Sequence, residues 1–154
     1  MYTGSVTLLV RMVQGLSAAL DRLPTPFANH AGRPVHLVTG SRGEEEAYFY
    51  LRRNGYTLVA RNYRSPHRRG EIDLVGWEAG TLCFIEVKTR TTRDVKPAEA
   101  AVDADKQREL AGVAREFMRR VPAPNFRFDV LSIYLEKDVP APQITLFKNA
   151  FPVP

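Results

Sequence analysis

The sequence is poor in cysteine, with Cys83 as its single cysteine among 154 residues. One cysteine cannot build an intrachain disulfide framework, and it cannot supply a thiolate zinc site alone. We therefore expect a protein of a reducing, cytoplasmic compartment. A chain of this length buries roughly two-thirds of its unfolded surface, so folding needs no disulfide or structural metal.

Long hydrophobic runs are also missing. The most apolar stretch near the start of the chain is interrupted by Arg11 and Gln14, and no positive charge precedes it. A membrane span needs about 20 mostly apolar residues, so we expect neither export nor contact with a membrane. Helical spacing of the apolar residues predicts an amphipathic helix that ends near Pro24. We interpret residues 1–38 as an N-terminal helical and linker extension and residues 39–154 as one domain.

Two catalytic signatures are absent as well. The chain has no G-x-x-x-x-G-K-[ST] sequence, which excludes a P-loop nucleotide hydrolase, and no motif spacing supports a Ser-His-Asp arrangement. A hydrophobic fraction of 44% and a charged fraction of 25% are typical of a globular chain. Lys and Arg number 22 against 17 Asp and Glu. This excess is compatible with a polyanionic partner without proving one.

Helical and extended segments alternate in the predicted domain without an internal repeat, which favours an α/β or α+β fold. The predicted order is one helix, three strands, a second helix and two strands. The first helix is predicted to begin at Ser41, where Glu44 completes a capping box, and to end at Asn54. The other predicted elements are a helix over 103–121 and strands over 56–64, 70–77, 81–88, 126–135 and 144–147.

The second and third strands form a predicted hairpin with the two-residue loop Ala79–Gly80. This loop places Asp73 opposite Glu86 and Glu71 opposite Lys88, and alternation puts all four side chains on one face. Directly opposed Cβ atoms lie about 4.5–5.5 Å apart. Two carboxylates at that distance repel by ~3 kcal/mol at an effective dielectric constant of about 20.

The rest of the hairpin is apolar on both faces, so the acids converge at the end of a buried element. Buried acids need partners, and Mg²⁺ takes one or two carboxylates while keeping several waters. Asp73 and Glu86 are therefore predicted metal ligands, with the Val87 carbonyl as a further oxygen, and a polar network at the sheet end is the alternative. The residues predicted on the opposite face are Ile72, Leu74, Cys83, Ile85 and Val87.

Asp73 followed by Glu86-Val87-Lys88 on the next strand resembles the motif of the PD-(D/E)xK nuclease superfamily, with Ile72 at the proline position. A wider set of segments between Gly43 and Phe151 resembles the YraN-like family, an uncharacterised, endonuclease-like family similar in fold to archaeal Holliday junction resolvases. The resemblance implies an α/β restriction-endonuclease-like core with a mixed central sheet flanked by helices. The matching segments are Gly43-Glu44, Ala47, Tyr50-Leu51, Gly55-Tyr56, Arg61-Asn62, Gly70 to Leu74, Glu86 to Arg90, Lys106, Arg127 to Val130 and Asn149 to Phe151.

Each acidic or lysine position has a role that the resemblance suggests and a structural alternative. Asp73 and Glu86 would bind a metal that activates water and neutralises charge on a phosphodiester. Lys88 would orient the attacking water or stabilise the phosphorane, or else form an ion pair with Glu71. Glu44 matches the upstream helix acid that completes the site in related nucleases, although a capping box explains it too. Glu71 is either an outer acid of the site or the partner of Lys88.

Basic residues accumulate between Ala47 and Gly70, where the sequence has no acid. The loop Arg64–Arg69 leads directly into the acidic strand, so its arginines would give salt-dependent, sequence-independent affinity for nucleic acid. Lys106 would contact phosphate from the second helix; a solvated loop and helix face are the alternatives. The predicted nucleic-acid contacts are Arg61, Arg64, Arg68, Arg69, Arg90 and Lys106.

These features together predict a Mg²⁺- or Mn²⁺-dependent endonuclease that hydrolyses phosphodiesters in structured DNA. The alternative is a nucleic-acid-binding or scaffolding module that keeps the fold without turnover. The presence of Asp73, Glu86 and Lys88 argues against simple decay of a catalytic site. Because junction resolvases act as dimers that make two symmetric cuts, a homodimer would favour a junction substrate.

Overall fold

The computed structural model describes residues 35–92 and 102–152. The helix predicted to end near Pro24 lies outside these residues. The order of one helix, three strands, a helix and two strands confirms the prediction. The elements are α1 (Val35–Arg53), β1 (Thr57–Arg64), β2 (Glu71–Glu78), β3 (Thr81–Arg90), α2 (Ala104–Arg120), β4 (Phe126–Tyr134) and β5 (Gln143–Phe151).

The five strands form one mixed sheet in the order β1-β2-β3-β4-β5. β3 and β4 are parallel, whereas the other neighbouring pairs are antiparallel. A parallel pair requires a crossover connection, and α2 lies within it. The fold is a mixed α/β sheet flanked by two helices, consistent with a restriction-endonuclease-like core. Neither of the helices in the described ranges is long and apolar enough to cross a membrane.

Each face of the sheet has its own apolar cluster. On one face, α1 contributes Ala47 and Leu51. On the other, α2 packs the stripe that its helical spacing predicts, and the Phe117 ring meets Phe84 edge-on at 5.9 Å. Both faces of the β2–β3 hairpin are therefore buried, as predicted. The buried residues of α2 are Leu110, Ala111, Val113, Ala114 and Phe117.

The two helices differ in how well their starts follow local capping rules. α2 begins after Asp103, whose carboxylate accepts a hydrogen bond from the Lys106 amide at 2.8 Å, as the prediction for 103–121 requires. α1 begins at Val35. Ser41 consequently lies inside the helix, and the predicted capping box between Ser41 and Glu44 is wrong. The preceding turns contain no proline, so extending the helix through Gly40 costs only about 1 kcal/mol.

The hairpin has the predicted register from its loop as far as Leu74, whereas the predicted pairs of Asp73 with Glu86 and of Glu71 with Lys88 lie beyond the paired stretch. Backbone pairing runs from Glu78 opposite Thr81 to Leu74 opposite Ile85. Ala79 and Gly80 both have positive φ, 48° and 81°, as a two-residue turn with two left-handed positions requires.

Between Leu74 and Ile72, towards the start of β2, the regular alternation of side chains between the two faces breaks. Ile72 packs in the cluster under α2, whereas Leu74 packs in the cluster under α1, so the prediction that they share a face is wrong. On β1, Asn62 faces this point with a φ of 48°. The left-handed backbone of Asn62 thus lies at the level of Asp73, where the side chains of β2 change face.

The two edge strands, β1 and β5, each carry a register shift. In β1 the shift lies between Leu58 and Ala60, and in β5 it lies opposite the stretch from Phe128 to Val130. β5 is longer than the predicted strand 144–147. The shift explains the difference, because a strand with a displaced register no longer shows the simple alternation from which its length is read.

Candidate active site

Asp73 and Glu86 come together where β2 and β3 separate. The Asp73 Oδ2 accepts a hydrogen bond of 2.7 Å from the backbone amide of Val87, next to Glu86 on β3. Glu86 itself is 5% exposed. Its even-numbered neighbour Phe84 packs under α2, so alternation along β3 points Glu86 and Lys88 to the α2 face.

The environment of Asp73 disfavours its charged form. Burial raises the pKa of Asp73 to about 7, and the negative charges of Glu86 and Glu44 act in the same direction. The Val87 amide and the Lys106 ammonium oppose this shift. Repulsion between neighbouring carboxylates is the kind of strain that a bound cation relieves.

Two lysines converge on one oxygen of Glu86. The Lys88 Nζ donates to Oε1 at 2.8 Å, and the Lys106 Nζ lies 3.6 Å from the same atom. The second oxygen, Oε2, is buried and has no hydrogen-bond partner among residues 35–92 and 102–152. Leaving such an acceptor unpaired costs about 1–3 kcal/mol, so this oxygen is a candidate ligand position.

The predicted ion pair between Lys88 and Glu71 is wrong. Glu71 instead accepts a hydrogen bond of 2.6 Å from the Arg64 Nε, because Arg64 is its direct partner across β1 and β2. On the side of β2 that faces β3, backbone pairing ends at Leu74, before it reaches Glu71. Lys88 therefore does not lie opposite Glu71.

Glu44 reaches the acid pair because α1 approaches β3 closely. Gly43 is buried against Thr89, and a Cβ at residue 43 would overlap the Thr89 side chain. The next residue, Glu44, shares a side-chain hydrogen bond with Asn62. Burial raises the pKa of Glu44, and the hydrogen bond with Asn62 opposes this shift. The negative charge of Glu44 in turn raises the pKa of Asp73. Glu44 therefore acts on Asp73 through its charge, but it does not join Asp73 and Glu86 in a three-acid cluster within the described residues.

The donor set fits a hard divalent cation. In the described parts of the chain, no three His, Cys, Asp or Glu side chains form a ready ligand cluster. Asp73 and Glu86 alone offer two carboxylates. Mg²⁺ usually binds one or two protein carboxylates and keeps several waters, so it does not need a third acid. A set made only of oxygen atoms favours Mg²⁺ or Mn²⁺ over Zn²⁺, which prefers nitrogen and sulfur ligands.

The predicted basic contacts do not all lie together. Arg64, Arg68 and Lys106 line one cleft, whereas Arg69 is exposed on the same loop and does not line it. The Arg61 guanidinium lies 4.7 Å from the centre of the Tyr48 ring, in a cation–π contact with α1. Arg90 lies two residues after Lys88 on β3. Its Nε is buried without a hydrogen-bond partner in the described chain.

Sequence reasoning did not identify Ser132 as a site residue. This serine is 2% exposed and pairs directly with Lys88 across the parallel strands. Its Oγ has no hydrogen-bond partner within the described residues. The parallel register of β3 and β4, which places it there, depends on how α2 docks and has no local sequence signature.

A second polar cluster on the α1 face was also missed. Asp129 is completely buried and accepts hydrogen bonds from Arg127 Nε at 2.8 Å and from the Asn149 amide at 2.9 Å. The Arg127 guanidinium also donates a hydrogen bond of 3.0 Å to the Glu78 carboxylate. An acid in the middle of an apolar strand was the available sign, since Asp is almost never fully buried unless paired. Its complete pairing indicates a structural role.

Comparisons with known proteins find sequence similarity over the part of the chain that holds this site. Uncharacterised protein family UPF0102 matches residues 43–133, a range that contains every acid and lysine of the site described above. A UPF0102 protein of Koribacter versatilis is 56% identical over 120 residues, which cover 77% of this chain and 82% of that protein. A UPF0102 protein of Solibacter usitatus is 46% identical over 114 residues, covering 73% and 84%. A UPF0102 protein of Caldicellulosiruptor saccharolyticus is 39% identical over 114 residues, covering 73% and 95%.

Proposed function

Because this chain belongs to the UPF0102 family, which confirms its YraN-like resemblance, and buries Asp73 beside Glu86, we propose that it is a metal-dependent endonuclease acting on structured DNA. The observation that carries the proposal is the Glu86 carboxylate. One of its oxygens is held by Lys88, and the other is buried without a partner in the described chain. A buried acid with an open oxygen, next to a second acid, is suited to bind a cation.

The proposed chemistry assigns a separate task to each side chain. Asp73 and Glu86 would hold a Mg²⁺ or Mn²⁺ ion. Such an ion would lower the pKa of water and neutralise charge on the phosphate. Lys88, fixed by its contact with Glu86, would stabilise the negative charge that develops on the phosphodiester. Glu44 would orient water from the α1 side, since Asn62 fixes its carboxylate and its charge reaches Asp73.

The basic residues near the site support nucleic acid as the substrate. Arg68 and Arg69 are exposed on the loop that enters β2, and Arg64 lies at the end of β1 with a side chain that is 76% exposed. Contacts from such side chains to phosphates release counterions, so affinity falls steeply with salt. Replacing all three by Gln should weaken DNA binding and flatten its salt dependence. Unchanged affinity and slope would assign the loop to solvent.

Cleavage of defined DNA substrates tests the proposal directly. Purified protein with Mn²⁺ should cut at least one of branched, flapped or single-stranded DNA. Asp73→Asn should abolish cleavage while leaving DNA binding in place. The matched control is Asp105→Asn, because Asp105 is an exposed aspartate of α2 with a side chain that is 89% exposed. Equal cleavage by the Asp73→Asn variant and the wild-type protein would contradict the assigned role.

A nucleic-acid-binding module without turnover is the second candidate. The observation that favours it is that Lys88 and Lys106 already neutralise Glu86, so the fold does not depend on a metal. Binding of all three DNA forms without cleavage in either Mg²⁺ or Mn²⁺ would establish this alternative. A homodimer in solution would favour a substrate with two symmetric cleavage positions.

A further inference from the structure

A cleft of about 370 Å³ opens between the loop before β2 and the first turn of α2. This volume lies at the small end of the range for ligand sites, about 300–1,000 Å³. Its lining is mainly charged and lies directly beside the acid pair, because Lys106 belongs to both places. The lining residues are Arg64, Ser65, Arg68, Gly70, Glu71, Lys106 and Glu109.

The cations of the cleft differ in how firmly the protein already holds them. Arg64 is paired with Glu71. Arg68 has no charged partner in the described residues, and its Cδ lies close to α2, 3.8 Å from where a Cβ at Gly112 would be. Arg68 therefore brings a guanidinium to the α2 side of the cleft with its hydrogen-bond donors available for an anion.

Lys106 connects the cleft with the acid pair. Its Nζ lies 3.6 Å from the Glu86 Oε1, which is beyond hydrogen-bond distance, whereas Lys88 donates to the same oxygen at 2.8 Å. The Lys106 contact is the weaker of the two. A cation that binds Glu86 would therefore displace Lys106 before Lys88. Lys106 also lines the cleft, so leaving Glu86 requires only side-chain rotation.

We propose that this cleft binds a backbone phosphate of the substrate strand next to the phosphodiester that is cut, and that Lys106 becomes its second cation when Glu86 releases it. The inference rests on the proposed nuclease function and specifies how that site holds its strand. In the resting protein Glu86 retains Lys106, and the cleft relies mainly on Arg68. Neutralising Glu86, by a cation or by substitution, frees Lys106 to bind phosphate.

A metal-free double-mutant cycle tests this coupling. The probe is a short, fluorescently labelled single-stranded oligothymidylate in EDTA, and its dissociation constant is measured by anisotropy for wild type, Lys106→Gln, Glu86→Gln and the double variant. Lys106→Gln should weaken binding by less than about twofold in the wild-type background and by about tenfold in the Glu86→Gln background. In that background it should also lower the salt slope by about 0.7, the value for one single-strand phosphate contact.

Arg68→Gln tests the cleft itself, with Arg120→Gln as its control. Both substitutions remove one positive charge, but Arg120 lies in the last turn of α2, about 20 Å along the helix from Lys106. Arg68→Gln should weaken binding by about tenfold in either Glu86 background, whereas Arg120→Gln should change it by less than about twofold. Circular dichroism melts of each variant establish that it is folded.

Two results would overturn the inference. An equal cost of Lys106→Gln in both Glu86 backgrounds would show that Glu86 does not hold Lys106 away from phosphate. Equal effects of Arg68→Gln and Arg120→Gln would show that the cleft is not a phosphate site. Because no metal or turnover is involved, failure to cleave DNA leaves this test intact, and failure of the cycle leaves a measured nuclease activity intact.

Discussion

Replacing Asp73 by Asn should stabilise the metal-free protein, and the gain should grow with pH. In the folded state burial and the charge of Glu86 raise the pKa of Asp73 to about 7, from an ordinary value of 3.8. Between these values the folded state keeps a proton that the unfolded state has released. Stability therefore falls as the pH rises through this window and levels off above it.

The size of the effect follows from the same shift. The difference between about 7 and 3.8 is roughly three pKa units, and each unit corresponds to about 1.4 kcal/mol. The upper limit is therefore about 4 kcal/mol. Water reaches part of the Asp73 side chain and screens its charge, so we expect about 2 kcal/mol. Asn keeps the shape of the side chain and its acceptor for the Val87 amide.

Urea denaturation in EDTA at a series of pH values measures this difference. The free energy of unfolding of the wild-type protein should fall relative to Asp73→Asn between about pH 4 and pH 7, and the gap should then stay constant. Effects of other titrating groups largely cancel in the comparison. Parallel curves for the two proteins would refute the reasoning, because they would show that Asp73 has the same proton affinity in the folded and unfolded states.

Three further predictions concern the same framework. Mg²⁺ or Mn²⁺ at about a hundred times its Kd should add ~2.7 kcal/mol of stability, measured as a rise in Tm that Asp73→Asn removes and Lys88→Met keeps. Gly43→Ala should cost about 1–3 kcal/mol in urea denaturation, because its Cβ would overlap a β3 side chain, whereas Gly40→Ala, with nothing within 4 Å, should not destabilise. Asp129→Ala should cost about 3–5 kcal/mol by removing the buried partner of an arginine, and an unchanged urea midpoint would contradict that role.

The hairpin was predictable because its determinants are local. The Ala79–Gly80 loop sets the register as far as Leu74, and this brings the next residue, Asp73, close to Glu86 on β3. The start of α2 was predictable for the same reason, since Asp103 caps the helix through its own neighbour three residues on. In both cases a few adjacent residues contain the whole physical cause.

The partners of each charge were less predictable because they come from distant elements. Glu71 pairs with Arg64 since β1 lies beside β2, and Lys106 reaches Glu86 because α2 docks over β3. Ile72 and Leu74 pack on opposite faces at the level of the left-handed Asn62 on β1, and simple alternation does not predict this change of face. Docking and backbone distortion are tertiary effects, so no short segment reveals them.

The register shifts of the two edge strands affect how this protein associates with itself. An exposed edge can add a strand from another chain when its amides and carbonyls follow a regular ladder. Both edges interrupt that ladder, in β1 near Val59 and in β5 near Lys148 and Asn149, where Asn149 has a φ of 51°. Within residues 35–92 and 102–152, neither edge strand has an uninterrupted ladder, so addition of a strand from another chain is disfavoured at both edges.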